Sequence, residues 1–267
     1  KLLHGLAPEE QLAYYAAFGG TPYYLGLIDR SATFEANITK LMFTISGILY
    51  AEPQMLLRQE LRDPSTYVSA LDAIGAGATT PKRIAERAGI DQDAVSNYLS
   101  ALMRLGLVQR EVPFGEDPSR SRKGLYRLAD PFFAYWYRFV SPRVGAIEAG
   151  LGEAAARQAV SGEAFSTYEG TQFELICKQW YIRQAQQGNT PFLPLEIGRW
   201  WGTDPTRRER VDIDLVAGSK PEHALYVGEC KYRNSFDESE AIATLEHRAT
   251  LVSGYERVHY ALFMKGK

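Results

Sequence analysis

Cysteine is almost absent. Only Cys177 and Cys230 occur in 267 residues. Neither has a second cysteine or a histidine at zinc-ligand spacing, which excludes a cysteine-built zinc module and a multi-bridge disulfide scaffold. One disulfide between the two stays open; two reduced intracellular thiols is the plainer expectation. The histidines, His4, His223, His247 and His259, include no pair one helical turn apart, so no histidine metal site is expected. No apolar run reaches the ~18 residues of a membrane span. The N-terminus lacks the apolar core and cleavage site of a signal peptide. The expected location is the cytoplasm, with no membrane partner. Positive charge is not in excess either, since the formal net charge is -2. Any nucleic-acid binding must therefore come from local basic patches.

What is present is enough apolar material, 45% of residues, for ordinary cores in about two domains. Residues 1–50 read as helical. Pro8-Glu9-Glu10 opens a helix with Leu12, Tyr15 and Phe18 on one face, and Gly19-Gly20-Thr21-Pro22 breaks it. A short apolar stretch from Pro22 to Ile28 follows, then a helix expected from Phe34 to Leu49.

Residues 51–128 change rhythm. Three helices are expected: Thr66–Ile74, one opened by Thr80 as N-cap with Pro81 at the first position and closed by Gly89, and one from Asp91 to Leu105 stopped by Gly106. Strands at 107–112 and 125–128 flank the polar run 114–124. Helix, helix, helix, hairpin is the layout of a winged helix, and the turn at Gly89 suits a helix-turn-helix. In the third helix Ser96, Asn97 and Ser100 are placed to face bases or phosphates. The wing carries Arg120, Arg122, Lys123 and Arg127, a patch suited to phosphate, and Lys82, Arg83 and Arg87 add charge on the second helix. Asp91 and Asp93 oppose phosphate there unless they act as caps. DNA is the expected partner of this module, with a protein partner as the other reading.

Asp130-Pro131 opens an aromatic helix holding Phe132, Phe133, Tyr135, Trp136, Tyr137 and Phe139. Burial in a core is the plainer reading of so many rings, with base stacking the alternative. Residues 141–165 read as a helical linker. Residues 166–267 form the last unit: a helix at 170–186, strands at 192–200, 210–217 and 224–232, a helix at 238–251 and a strand at 258–263.

Strand alternation puts Asp212 and Asp214 on one face of their strand, and Glu229 and Lys231 on one face of the next. Antiparallel pairing would bring these groups to one site. Paired carboxylates are oxygen ligands for Mg²⁺ or Mn²⁺, the metal activates water and polarises a phosphodiester, and a lysine beside it steadies developing negative charge. A surface ion-pair ladder is the bland alternative. Asp214 followed by Glu229-Cys230-Lys231, with Glu174 in the preceding helix, resembles the PD-(D/E)XK nuclease superfamily, although Ile213 stands where a proline usually leads. That resemblance implies a metal-dependent phosphodiesterase, with Asp214, Glu229 and Glu174 as metal ligands and Lys231 positioning water.

Across nearly the whole chain, Phe18 through Leu25, Tyr67 through Gly77 and Asp130 through Phe139 resemble the C-terminal part of archaeal and bacterial DEXX-box AAA+ family ATPases, with a DUF234-type C-terminal domain. The resemblance implies a helical ATPase-lid remnant at 1–50, a winged helix with its following aromatic helix at 51–140, a linker at 141–165 and an α/β nuclease-like domain with a central mixed sheet at 166–267. Lys1 is not a natural start, so an ATPase domain that binds ATP is expected before it. The chain itself has no phosphate loop: Gly75-Ala76-Gly77-Ala78-Thr79-Thr80 lacks the required lysine. The expected function is nucleic-acid binding with Mg-dependent cleavage. The alternative is a non-enzymatic DNA- or protein-binding regulatory module.

Overall fold

A computed structural model describes residues 2–265. The chain is an α/β multidomain protein with a winged-helix-like helical region and a separate domain built on a mixed sheet. It divides into two units, and the division does not follow the chain in order. The first unit comprises the residues up to Glu111 together with Leu125–Thr167; the second comprises Val112–Gly124 and the residues from Tyr168 onward. The segments 1–50, 51–111 and 125–167 therefore form one compact body.

In the first unit, α1 (Pro8–Phe18) starts on a proline, and the Glu10 carboxylate accepts from the free Ala7 N–H at 3.2 Å. After α2 (Pro22–Gly26) comes α3 (Phe34–Met42), capped by the Thr33 hydroxyl. Buried Asn37 donates to Tyr14 Oη at 2.9 Å and accepts from Asp29 N at 2.8 Å, fixing the preceding turn. This helix was expected to run on to Leu49. It stops at Met42 because the chain doubles back: Leu49 N donates to Leu41 O, and a side chain at Gly47 would meet that same carbonyl at 2.6 Å. Only glycine permits that approach.

Next come α4 (Glu52–Glu60), α5 (Ser65–Gly75), α6 (Pro81–Ala88) and α7 (Gln92–Arg104). Thr80 caps α6 and Gly89 ends it in the left-handed conformation, φ 66°. Asp91 caps α7 by accepting from Asp93 N at 3.0 Å. Leu71, Ile74, Ile84, Val95, Leu99 and Leu102 are buried among these helices. The hairpin of β1 (Val108–Glu111) and β2 (Leu125–Leu128) is antiparallel and is tied to the segment before α6 by Tyr126 N donating to Thr79 O.

α8 (Pro131–Tyr135) is capped by Asp130 and continues through a π-turn at Trp136–Val140 and a 3-10 turn at Ser141–Arg143. α9 (Val144–Glu148) and α10 (Gly152–Val160) follow, then α11 (Glu163–Gln186). Phe132, Phe133, Tyr135, Trp136, Tyr137 and Phe139 are all buried, so the ring cluster is a core and not a base-stacking platform. Tyr24 packs on Phe132 with ring centroids 4.7 Å apart.

The second unit is a four-stranded sheet in order β3 (Glu196–Asp204), β4 (Glu209–Ser219), β5 (Ala224–Lys231), β6 (Arg257–Met264). β3, β4 and β5 pair antiparallel; β5 and β6 pair parallel, joined across α12 (Glu238–Ala249). One face buries Leu215, Ala217 and Tyr226 against Tyr181 of α11. The other buries Ile213, Val216, Leu225 and Val227 with Leu245 and Ala249 of α12. Phe114, from the loop between β1 and β2, is part of that second core. Among the described residues no helix is long and apolar enough to cross a membrane.

Gly75 is buried in α5, and a Cβ there would lie 2.7 Å from Tyr137 Cβ and 2.9 Å from its carbonyl carbon. The neighbours are backbone and Cβ atoms, which cannot swing aside. Gly75→Ala is expected to cost about 1–3 kcal/mol by overpacking, read as a lowered denaturant midpoint with an unchanged slope. An unaltered midpoint would show that α5 and the π-turn can separate freely.

Candidate functional site

The strand pairing brings Asp214, Glu229 and Lys231 into one region, but alternation alone does not describe it. Gly198 pairs with Val216 and Trp200 with Ile213, so three steps of β4 match two of β3. Asp214 and Leu215 therefore stand opposite Arg199 in a β-bulge. The Arg199 carbonyl, released from the ladder, accepts from Phe114 N at 2.8 Å, and Gly115 N donates to Glu196 Oε1 at 2.6 Å. The loop 112–124 is thus stitched to β3 by backbone and by the buried Phe114 ring.

The Arg199 side chain enters the carboxylate group. It pairs with Asp212, lies 3.8 Å from a Glu174 oxygen and reaches 4.0 Å from Asp214 Oδ1. Burial works against its charge, but Glu174, Asp212 and Asp214 outweigh that and raise its pKa. Asp214 Oδ2 accepts from Cys230 N at 2.8 Å. Glu229 pairs with Lys231 through one oxygen, and its other oxygen lies 3.7 Å from Arg248. Arg248 also donates to the Asp212 carbonyl at 2.9 Å. The Asp214 carboxyl is pushed up to about 6, first by burial and then by the charge of Glu229.

This geometry corrects the metal-site expectation. Among the described residues no group of three or more His, Cys, Asp or Glu side chains is placed to hold a metal ion. Glu174, Asp212 and Asp214 share a guanidinium, and both Glu229 oxygens face cations. A dication set among them would meet Arg199 at close range, so the residues do not fit Mg²⁺ or Mn²⁺. The metal-dependent nuclease and the hydrolase activity fall with the metal, and Asp214, Glu229, Lys231 and Glu174 stand in the structure as members of a charged network. Arg199 and Arg248 were not singled out from sequence. A lone arginine in the apolar strand Ile197-Gly198-Arg199-Trp200 was the available signal, because burying that charge requires partners. His247 is likewise structural: it binds Asp204 at 2.7 Å, and that buried carboxylate also accepts from Thr206 N and Arg207 N.

The second candidate lies in the first unit. α6, the turn at Gly89 and α7 make a helix-turn-helix. α7 buries Val95, Leu99 and Leu102 and turns Gln92, Ser96, Asn97 and Arg104 outward, with Ser100 half-buried. Lys82, Arg83 and Arg87 are exposed on α6, where Lys82 pairs loosely with Glu86 at 3.9 Å. The β1–β2 loop carries its basic residues within the second unit. Lys123 is bound to Glu116 at 2.6 Å, Arg120 lies 3.6 Å from Asp117, and Arg122 is exposed. Arg127 on β2 pairs with Glu111.

Comparison with known proteins follows this division. Residues 64–117 match the MarR family model. Residues 136–242 match the DUF234 model, described as archaea bacterial proteins of unknown function. An uncharacterized protein of Methanocaldococcus jannaschii is 29% identical over 229 residues, covering 86% of this chain and 49% of the relative. The chain thus spans about half the length of the curated relative it matches. No solved structure matches. The matching models are neither an AAA+ ATPase nor a PD-(D/E)XK nuclease, which corrects those two resemblances, while the expected DUF234-type C-terminal domain is the one matched over residues 136–242. The MarR-family match gives the winged helix a footing consistent with nucleic-acid binding in general.

The Asp214 carboxyl titrates near 6 when folded, against about 3.9 in an unfolded chain. Between those values the folded protein binds more protons, so this group's favourable contribution is full below pH ~4 and is lost as pH rises through ~6. Asp214→Asn removes the titration. Relative to the parent, the variant is expected to gain on the order of 2 kcal/mol between pH 4 and 7, read from urea midpoints across that range. Parallel pH profiles would show that Asp214 is not held protonated.

Proposed function

We propose that this chain is a non-enzymatic, DNA-binding regulatory module that reads duplex DNA with α7. The observation that carries this reading is the helix-turn-helix itself: α7 is anchored by Val95, Leu99 and Leu102 and presents Ser96, Asn97 and Arg104 to solvent, inside the MarR-family match. The second helix of such a motif lies in the major groove, with short polar side chains at base edges. Asn97 suits adenine, since its amide can pair with N6 and N7 at once. Arg83 and Arg87 on α6 supply phosphate contacts, which position the motif without reading sequence. Arg120 and Arg122 of the β1–β2 loop, in the second unit, are proposed separately as phosphate contacts, which Lys123 joins only by leaving Glu116. Asp91 is turned to backbone as a cap. Exposed Asp93 repels phosphate, which keeps non-specific affinity low and makes base contacts count for more.

The experiment is selection from a randomised duplex library, followed by fluorescence anisotropy on the selected site over a range of salt. Arg83→Ala with Arg87→Ala is expected to flatten the plot of log affinity against log salt by roughly 2, about one per phosphate contact. Asn97→Ala is expected to cost about 1–3 kcal/mol on the selected site while leaving random DNA and the salt slope unchanged. An Arg120, Arg122 and Lys123 triple alanine variant that keeps the parent slope removes the loop from the interface and leaves α7 in it. No duplex retained even at low salt would end the reading.

A further inference from the structure

α11 crosses the β5 face of the sheet in a fixed register. Phe173 packs on Tyr232 with centroids 5.3 Å apart, and Tyr181 packs on Tyr226 at 4.4 Å. Four residues of helix advance about 6 Å and two residues of strand about 6.6 Å. Cys177 lies four residues after Phe173, and Cys230 lies two residues before Tyr232, which directly follows the end of β5. The Phe173–Tyr232 contact therefore sets Cys177 against Cys230, and both thiols lie close enough to the Tyr226 ring and to each other to perturb them electrostatically. Both are free thiols, Cys177 buried and Cys230 half-buried. They are the chain's only cysteines, 53 positions apart (230 − 177), brought together by packing alone.

We propose that Cys177 and Cys230 form a reversible modification site, an intramolecular disulfide made by a small hydroperoxide. Cys230, the more open thiol, loses its proton, and its sulfur attacks the peroxide. The O–O bond breaks, one oxygen leaves as water, and Cys230 becomes a sulfenic acid. The Cys177 sulfur then attacks the Cys230 sulfur, forming the S–S bond and releasing the second oxygen as water. Two thiols and one hydrogen peroxide give one disulfide and two waters. The thiols are oxidised by two electrons, which reduce the peroxide.

The surroundings set the character of the site. The neighbouring Cys177 thiol, burial and the Asp214 charge all raise the Cys230 thiol. Little thiolate means slow formation, but the reduced pair also lacks the thiolate stabilisation that makes a disulfide easy to reduce. The bond is therefore slow to form and durable once made. It would staple α11 to β5 directly beside Asp214, whose carboxylate accepts from the Cys230 backbone N–H.

The test treats the folded chain with hydrogen peroxide, then denatures it in a thiol-alkylating reagent and measures intact mass and peptide masses. Expected is a loss of two hydrogens, no alkylation, and a single cross-linked peptide joining Cys177 and Cys230, all reversed by a strong dithiol reductant. The oxidised chain should also melt several degrees above the reduced one, because the cross-link restricts the unfolded chain. Cys177→Ser should abolish both the cross-link and the melting shift and leave Cys230 as a sulfenic acid trapped by dimedone. Two thiols that both remain alkylatable in folded protein after long exposure would overturn the proposal, as would cross-linking only between chains.

Discussion

Glu174, Asp212, Asp214 and Glu229 converge in the second unit, and such a group can fold only if cations reach it. Arg199 does most of this work, because its planar guanidinium faces Glu174, Asp212 and Asp214 together. Lys231 and Arg248 serve Glu229. Four carboxylates against three cations leave one negative charge in excess, and Asp214, raised first by burial and then by the charge of Glu229, is the carboxylate held least firmly ionised. Arg199 is in position because of the bulge. With two β4 residues facing one β3 residue, its carbonyl leaves the ladder, and a backbone acceptor left unpaired in a core would be costly. Phe114 N–H satisfies it, and the Phe114 ring fills the core beside β4. The charge group, the bulge and the docking of the β1–β2 loop are thus one structural arrangement.

That coupling explains what sequence shows here and what it does not. Local signals carry their own cause. Thr80-Pro81 satisfies and preorganises a helix start, and Gly89 takes the left-handed conformation that ends it, so α6 and the turn before α7 are legible one residue at a time. The alternation in β4 and β5 is legible in the same way and places Asp214, Glu229 and Lys231 toward one end of the sheet. Alternation cannot announce the bulge at Asp214, since the extra residue exists only relative to β3. Nor can it say which cation fills the space between the carboxylates. Arg199 and Arg248 come from β3 and α12, 15 residues before and 34 after Asp214 (214 − 199, 248 − 214). Phe114 likewise read as part of a polar wing, and only tertiary packing assigns its loop to the second unit.

The carboxylate pattern itself has two physical solutions. Oxygen ligands gathered at a strand end are stabilised by a dication with open coordination positions or by basic side chains that use up the oxygens. The two differ in what remains unspent. Here Asp214 Oδ2 accepts a backbone N–H, Asp212 is paired with Arg199, and Glu229 faces Lys231 and Arg248. Most of the charge is neutralised within the protein, at the cost of holding several long side chains in one arrangement. Such a network rewards a single strand register, because a slip of one residue would turn Asp214 away from Arg199 and expose both charges to an apolar core. Polar side chains open to solvent lie in the other unit, on the outer face of α7. Asn97, Ser96 and Arg104 there meet solvent on a helix whose inner face is fixed by Val95, Leu99 and Leu102. Recognition requires side chains with free hydrogen-bonding capacity on a rigid support, and α7 supplies both where the charged cluster supplies only the second.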